Sequence, residues 1–222
     1  MMPARHSPVH EALEHLKPRW GKLHEMPVAL DFGRPADEAA ATKTLALCDL
    51  SALPRVTIKG AGAEAWLRGQ GVDVPTGVYE VLRAGGSFIA RTGSAEFLIE
   101  DGVPGRIVQG LAQASGGEKP EVYRVLREDA AMLLAGSRAN DVMLETCGVD
   151  FSSHEFRMVY SRVAGVSCAI LPDVVNGVRA FRIWCDASYG PYLWETLLEI
   201  VKEKGGGAVG LAAVFRGVEE GL

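Results

Sequence analysis

"VTIKGAGAEAWLRGQGVDVP", residues 56–75, opens on a β-branched run, turns at Gly60, and continues with Ala63, Trp66 and Leu67 at helical spacing. Its Gly60, Gly62 and Ala65 fit the G-x-G-x-x-G/A fingerprint of a dinucleotide-binding loop. A second stretch, "AMLLAGSRANDVMLETCGVDF" at 131–151, decides against that reading. It also runs strand, Gly136, Ala139, helix and Gly148, with Gly60 to Gly136 and Ala63 to Ala139 spaced alike. Gly71-Val72-Asp73 and Gly148-Val149-Asp150 then match with one residue inserted. Arg138 stands where Gly62 stands, although a phosphate cradle needs glycine there for close backbone approach. What the two stretches share is a strand-to-helix corner, so the string marks an internal repeat.

Working outward, the first half predicts strands at 78–84, 87–91 and 96–100, a helix at 103–114 and a strand at 120–127. The second half predicts strands at 155–163, 165–171 and 180–186, a helix at 189–203 and a strand at 208–216. Each half reads β-α-β-β-α-β, the ferredoxin-like order. A unit of this kind leaves one sheet face open, which a second copy covers. The expected fold is α+β, a tandem pseudo-repeat of ferredoxin-like units with mostly antiparallel sheets. Residues 1–44, broken by Pro3, Pro8, Pro18, Pro27 and Pro35, read as an N-terminal arm with short helices at 8–16 and 36–46. Residues 45–222 read as a single pseudo-symmetric domain, with halves at about 56–130 and 131–222.

Composition narrows the function classes. Apolar residues make up 48% of the 222 and charged residues 23%, with a net charge of −5, ordinary for a globular chain. Lys and Arg are scattered, so no nucleic-acid partner is expected. No apolar run approaches the ~18 residues of a membrane span, and the first residues lack the apolar core of a signal peptide. No membrane association is expected, and a cytoplasmic location is. Cys48, Cys147, Cys168 and Cys185 form no C-x-x-C pair and read as buried thiols. His6 and His10 share a helix face without a third ligand, so no metal is expected.

Other motifs are weaker. Gly165-Val166-Ser167-Cys168-Ala169 falls short of a nucleophile elbow because a strand, not a helix, follows. Ser153 beside His154 reads as polar loop. The pairs Glu100/Asp101 and Glu219/Glu220 read as solvated element ends, since strand neighbours point to opposite faces. Trp184 alternates with Ile183 and Cys185, so it packs in the core or faces away to meet a ligand or a protein.

Several stretches resemble the T-protein of the glycine cleavage system, an aminomethyltransferase. CDLSALPRVTIKGAGAEAWL at 48–67, LLAGSRANDVM at 133–143 and GLAAVFRGVEEGL at 210–222 are similar to its motifs, as are SPVHEALEH at 7–15 and EMPVALDF at 25–32. ALPRVTIKGAGAEAWL, EFLIEDG and FRIWCDASYGPYLWETL are closer in style to the gamma subunit of heterotetrameric sarcosine oxidase. The resemblance implies the T-protein fold, tetrahydrofolate as cofactor and folate-linked one-carbon metabolism. Its catalytic Asp follows G-G-x-x-D-D, whereas here Gly85-Gly86 runs into SFIART. The folate-gripping Glu falls on Val178, and the Arg of its A-R-D motif falls on Ala213, with Arg216 three residues on. No counterpart of the T-protein's second domain is expected, since the sequence stops at Leu222.

The expected role is therefore an accessory or ligand-binding subunit that meets a flavoprotein oxidase or another subunit through Trp184 and Tyr192. The alternative is an active tetrahydrofolate-dependent aminomethyltransferase with substituted residues. There Arg91 and Arg162 hold the glutamate tail, Asp49 or Glu219 faces the pterin, and Trp184 forms a wall. A third reading is a diverged structural domain with no small-molecule site.

Overall fold

A computed structural model describes residues 5–103, 105–114, 121–153 and 156–215. The chain divides into two compact units: unit 1 takes 1–52, 129–155 and 159–222, and unit 2 takes 53–128 and 156–158. Unit 2 is thus an insertion in the chain path of unit 1.

Unit 1 begins with α1 (His10–Glu14), β1 (Arg19–Leu23), β2 (Met26–Asp31), α2 (Pro35–Thr44) and β3 (Ala46–Asp49). The β1–β2 turn places His24 and Glu25 at φ 48° and 66°. Asn and Gly normally signal such a turn, so this hairpin is silent in the sequence. Glu38 on α2 is buried; its carboxylate accepts from Phe32 N at 2.7 Å and from Gly210 N at 2.9 Å. Those bonds tie α2 to the end of β2 and to Gly210 within unit 1.

Unit 2 follows with β4 (Arg55–Lys59), α3 (Ala63–Gly69), β5 (Val81–Ala84), β6 (Ser87–Gly93), β7 (Glu96–Asp101), α4 (Ile107–Gln113) and β8 (Tyr123–Leu126). Its antiparallel sheet has the order β5-β6-β7-β4-β8. On one face Val56, Ile58, Ile89, Phe97 and Ile99 cluster with Ala63, Trp66 and Leu67 of α3 and Leu111 of α4. Period-2 alternation in the strands and 3.6-residue spacing in α3 put these side chains on facing surfaces.

The chain then completes unit 1 with β9 (Ala130–Ala135), α5 (Ala139–Thr146), β10 (Val159–Val163), β11 (Val166–Val175), β12 (Val178–Cys185), α6 (Gly190–Glu203), β13 (Gly207–Ala208) and α7 (Leu211–Val214). The sheet order is β10-β11-β12-β9-β3-β13, with β13 parallel to β3 and the other ladders antiparallel. Leu47, Met132, Leu134, Phe181 and Ile183 form one core with Val142 and Met143 of α5 and Leu193, Trp194 and Leu197 of α6.

The tandem repeat is present, β4 to β8 against β9 to β13, but each copy carries three strands between its helices where the β-α-β-β-α-β order has two, so the copies read β-α-β-β-β-α-β. The corner glycines explain the repeated string. Gly60 and Gly136 sit at φ +114° and +121°, and a Cβ there would lie 2.1 Å from the Glu121 carbonyl oxygen and 2.3 Å from that of Thr44. Ala63 N donates to Gly60 O at 2.9 Å, and Ala139 N donates to Gly136 O at 3.0 Å. Gly62 N donates to Glu121 O at 3.1 Å, and Arg138 N to Thr44 O at 3.0 Å. Gly62 itself has φ −86°, which any residue adopts.

Glu121 leads into β8 and Thr44 into β3, so β3 fills in unit 1 the place that β8 fills in unit 2. That substitution displaces β13 to the edge. It also corrects the expected 208–216 strand, which is two residues long before the chain turns into α7. Gly210 forces the turn, because its N–H serves Glu38 and a Cβ there would lie 2.0 Å from Leu30 O.

Candidate functional site

Within unit 1, Asp49 ends β3 and is committed to a local network. Its Oδ1 accepts from Ser51 N at 3.0 Å and Ser51 Oγ at 2.6 Å. Ala131 N in turn donates to Ser51 Oγ at 3.1 Å, which fastens the end of β3 to β9. Trp184 on β12 pairs with Ala169 and Ala131 on its two neighbours, small residues that leave room for an indole. It is only 3% exposed, so this side chain is not the outward contact for a partner that the sequence reading allows. Phe181, Ile183 and Cys185 point into the helix-covered core, and Trp184 alternates with them onto the other face of the sheet. That face also holds a buried ion pair, Arg182 Nε to Asp173 Oδ2 at 3.0 Å. Cys48 lies near this pair; burial and the carboxylates of Asp49 and Glu38 push its thiol well above its ordinary range.

Arg162 lies on β10, an edge strand, and is exposed. It borders an open depression of about 450 Å³ with Gly148, Tyr160, Ser161 and Ser167. Four strand spacings separate β10 from the β3 of Asp49, roughly 19 Å at ~4.8 Å each. Asp49 and Arg162 therefore do not converge on one small ring. Glu219 lies outside the described residues, as do Arg216 and His154.

Within unit 2, Arg91 is held by its surroundings. Its guanidinium bonds Glu64 Oε2 at 3.1 Å, the carbonyls of Pro75 and Thr76 at 3.2 Å each, and Ser94 O at 2.6 Å. These contacts join α3 to the 75–76 loop and the β6–β7 turn. The turn between β5 and β6 is the two-residue pair Gly85–Gly86, both at positive φ, with Ala84 paired to Ser87. It carries no carboxylate.

Glu100 and Asp101 are buried, which corrects their reading as a solvated edge. They point to opposite faces, as strand geometry requires. Glu100 faces Arg55 across β4 and β7, with Oε2 3.6 Å from Nε. Asp101 caps α4: Oδ1 accepts from Ser87 Oγ at 2.5 Å and Ile107 N at 3.1 Å, and Oδ2 accepts from Val108 N at 2.9 Å. The register equates Glu100 with Trp184, since Arg55 and Ala131 are equivalent corner-relative positions and pair with these two residues. Neither buried ion pair shows in the sequence, because the charges sit 45 and 9 residues from their partners on strands whose pairing had to be known first.

A second cleft, of about 470 Å³, lies along α1 and α6, lined by His6, His10, His15, Glu11, Glu14 and Glu195 among others. The His10 ring lies tilted against His6 at 4.2 Å and against Trp20 at 4.6 Å between ring centroids. Among the described residues no group of three His, Cys, Asp or Glu side chains is placed to hold a metal ion, and no helix is long and apolar enough to cross a membrane.

No family model matches the chain. Curated relatives are the aminomethyltransferases of Thermoanaerobacter sp., 26% identical over 95 residues, and Anoxybacillus flavithermus, 30% identical over 95 residues. Each match takes in 42% of this chain and 26% of the relative, so the chain matches about a quarter of their length. The glycine cleavage system aminomethyltransferase T of Bartonella henselae superposes on 95% of this chain and 60% of its own, with TM-score 0.70 and 17% identity. A chain of heterotetrameric sarcosine oxidase from Corynebacterium sp. U-96 superposes on 77% of this chain and 92% of its own, with TM-score 0.59 and 20% identity. Topology, repeat and comparisons agree: the chain has the fold of the glycine cleavage system aminomethyltransferase T.

Proposed function

We propose that the chain is a non-catalytic, accessory or ligand-binding subunit associated with folate-linked one-carbon metabolism, with a flavoprotein oxidase or a similar subunit as its partner. The observation that carries this reading is the Gly85–Gly86 hairpin. It closes in two residues and presents no carboxylate where the T-protein resemblance places the catalytic Asp. Without an acid or base at that position, the hairpin supplies no group for the proton transfers of aminomethyl transfer. The likeness to a chain of a heterotetrameric oxidase, 92% of which is covered, supports an assembled rather than solitary role.

The second reading, an active tetrahydrofolate-dependent aminomethyltransferase, rests on Arg162, whose exposed guanidinium borders an open depression beside two serines. The two readings separate in one assay. The purified chain is mixed with tetrahydrofolate and an aminomethylated lipoyl carrier, and methylene-tetrahydrofolate is measured. The accessory reading predicts no product above the carrier-only background. Turnover that disappears in Arg162→Ala overturns it.

A further inference from the structure

Cys168 on β11 and Cys185 on β12 are direct register partners, one opposite the other across an antiparallel ladder. Both side chains point into the same core, and neither cysteine is in a disulfide. Directly opposed residues in such a ladder hold their Cα atoms about 4.5–5.5 Å apart, inside the ~4.4–6.8 Å that a disulfide spans. Their Cβ atoms stand about 4.5–5.5 Å apart in an ordinary pair and must close to ~3.8 Å. The backbone needs no rearrangement, only a small local approach.

We propose that Cys168 and Cys185 form a thiol modification site that a low-molecular-weight disulfide converts reversibly into a cross-strand disulfide. The chemistry is asymmetric. Cys168 Sγ donates to Val166 O at 3.3 Å, and hydrogen bonding with the neighbouring Cys185 thiol lowers the Cys168 thiol below its ordinary range. Cys185 is pushed up by that same bond, by burial and by the charges of Cys168, Asp129 and Asp186. Cys168 is therefore the attacking thiolate and Cys185 the resolving thiol, because the thiolate is the reactive species. The Cys168 thiolate attacks one sulfur of the oxidant, forms a mixed disulfide and expels the first thiolate. Cys185 then loses its proton and attacks Cys168 Sγ, expelling the second. Two protein thiols are oxidised, one disulfide is reduced to two thiols, and both protons end on the released thiols.

Cys168 and Cys185 are each 4% exposed, and Cys185 is the last residue of β12, ahead of exposed Ser188 and Tyr189, so exchange proceeds through local opening at that strand end. Cys48 and Cys147 are buried without a cysteine opposite them in any ladder and serve as internal controls.

The test uses the reduced, folded full chain with excess oxidised glutathione, followed by denaturation, alkylation and trypsin. Cleavage after Arg162, Arg179, Arg182 and Lys202 puts the two cysteines on separate peptides, 163–179 and 183–202. The expected result is a loss of two hydrogens in the intact mass and a linked 163–179/183–202 peptide pair that dithiothreitol separates. Cys48 and Cys147 stay alkylatable. In Cys185→Ser, glutathione remains on Cys168 as a mixed disulfide; in Cys168→Ser, Cys185 stays unmodified over the same time. Circular dichroism of each variant confirms a folded state. Recovery of all four thiols in alkylated form overturns the proposal, as does a linkage involving Cys48 or Cys147 at comparable yield.

Discussion

Arg55 and Glu100 face each other across β4 and β7 with both side chains fully buried and Nε 3.6 Å from Oε2. Breaking such a pair from one side leaves a buried charge, which costs about 3–5 kcal/mol, whereas replacing both partners by apolar residues of similar volume is often neutral. Arg55→Met and Glu100→Leu are therefore each expected to lower the unfolding free energy by ~3–5 kcal/mol. The double variant recovers most of that loss. Urea denaturation of the three proteins measures it, and additive single losses contradict the pairing.

The two glycines of the 60–62 string carry unequal weight. Gly60→Ala places a Cβ 2.1 Å from the Glu121 carbonyl at a φ of +114°, and a cost above ~2 kcal/mol is expected from strain and close contact. Gly136→Ala meets Thr44 in the same way and is expected to cost a similar amount. Gly62→Ala, at φ −86°, is expected to change stability by less than ~1 kcal/mol. Thermal melts of the three variants check the ranking. A Gly62 variant as damaged as the Gly60 variant would contradict the assignment of the corner to Gly60.

Cys48 imposes an alkaline limit. Its folded pKa is raised above the ordinary 9.0 chiefly by burial, then by Asp49 and Glu38. Below pH 9 the thiol is protonated both folded and unfolded. Above it the unfolded thiol ionises while the buried one keeps its proton, so stability falls as pH rises. The slope of one proton is about 1.4 kcal/mol per pH unit. Denaturation curves between pH 8.5 and 10.5 are expected to show the wild type losing stability more steeply than Cys48→Ala. Equal slopes would refute the assignment.

Trp184 and Tyr192 separate fold from contact. Trp184→Ala removes a buried indole and is expected to cost ~3–5 kcal/mol. Tyr192 is 53% exposed on α6, and its hydroxyl donates to Ala164 O at 3.2 Å. Tyr192→Ala is expected to cost under ~1 kcal/mol while weakening association with the partner subunit. Equilibrium denaturation and co-purification yield, measured on the same variants, test the split.

Much of the fold was legible because its signals are local. Gly60 and Gly136 begin matching corners, and α6 carries Leu193 and Leu197 on one helical face. What escaped depends on pairing between distant segments. The β1–β2 hairpin turns on His24 and Glu25, and β3 is the four-residue strand Ala46–Asp49 directly behind α2. Its placement beside β9 is fixed only by the ladder from Ala46–Ala135 to Asp49–Met132. The candidate site suffered in the same way. Arg91 looks available in sequence, yet its partners Glu64, Pro75 and Thr76 come from a helix and a loop 15 to 27 residues away.

The accessory-subunit account is tested most directly by purifying the tagged full chain from its native source through size exclusion while reading flavin absorbance and protein mass. It predicts that the chain elutes in a larger assembly carrying flavin, and that Tyr192→Ala shifts it toward the free chain. Elution as a lone monomer without flavin, under conditions where the chain is folded and abundant, would contradict it.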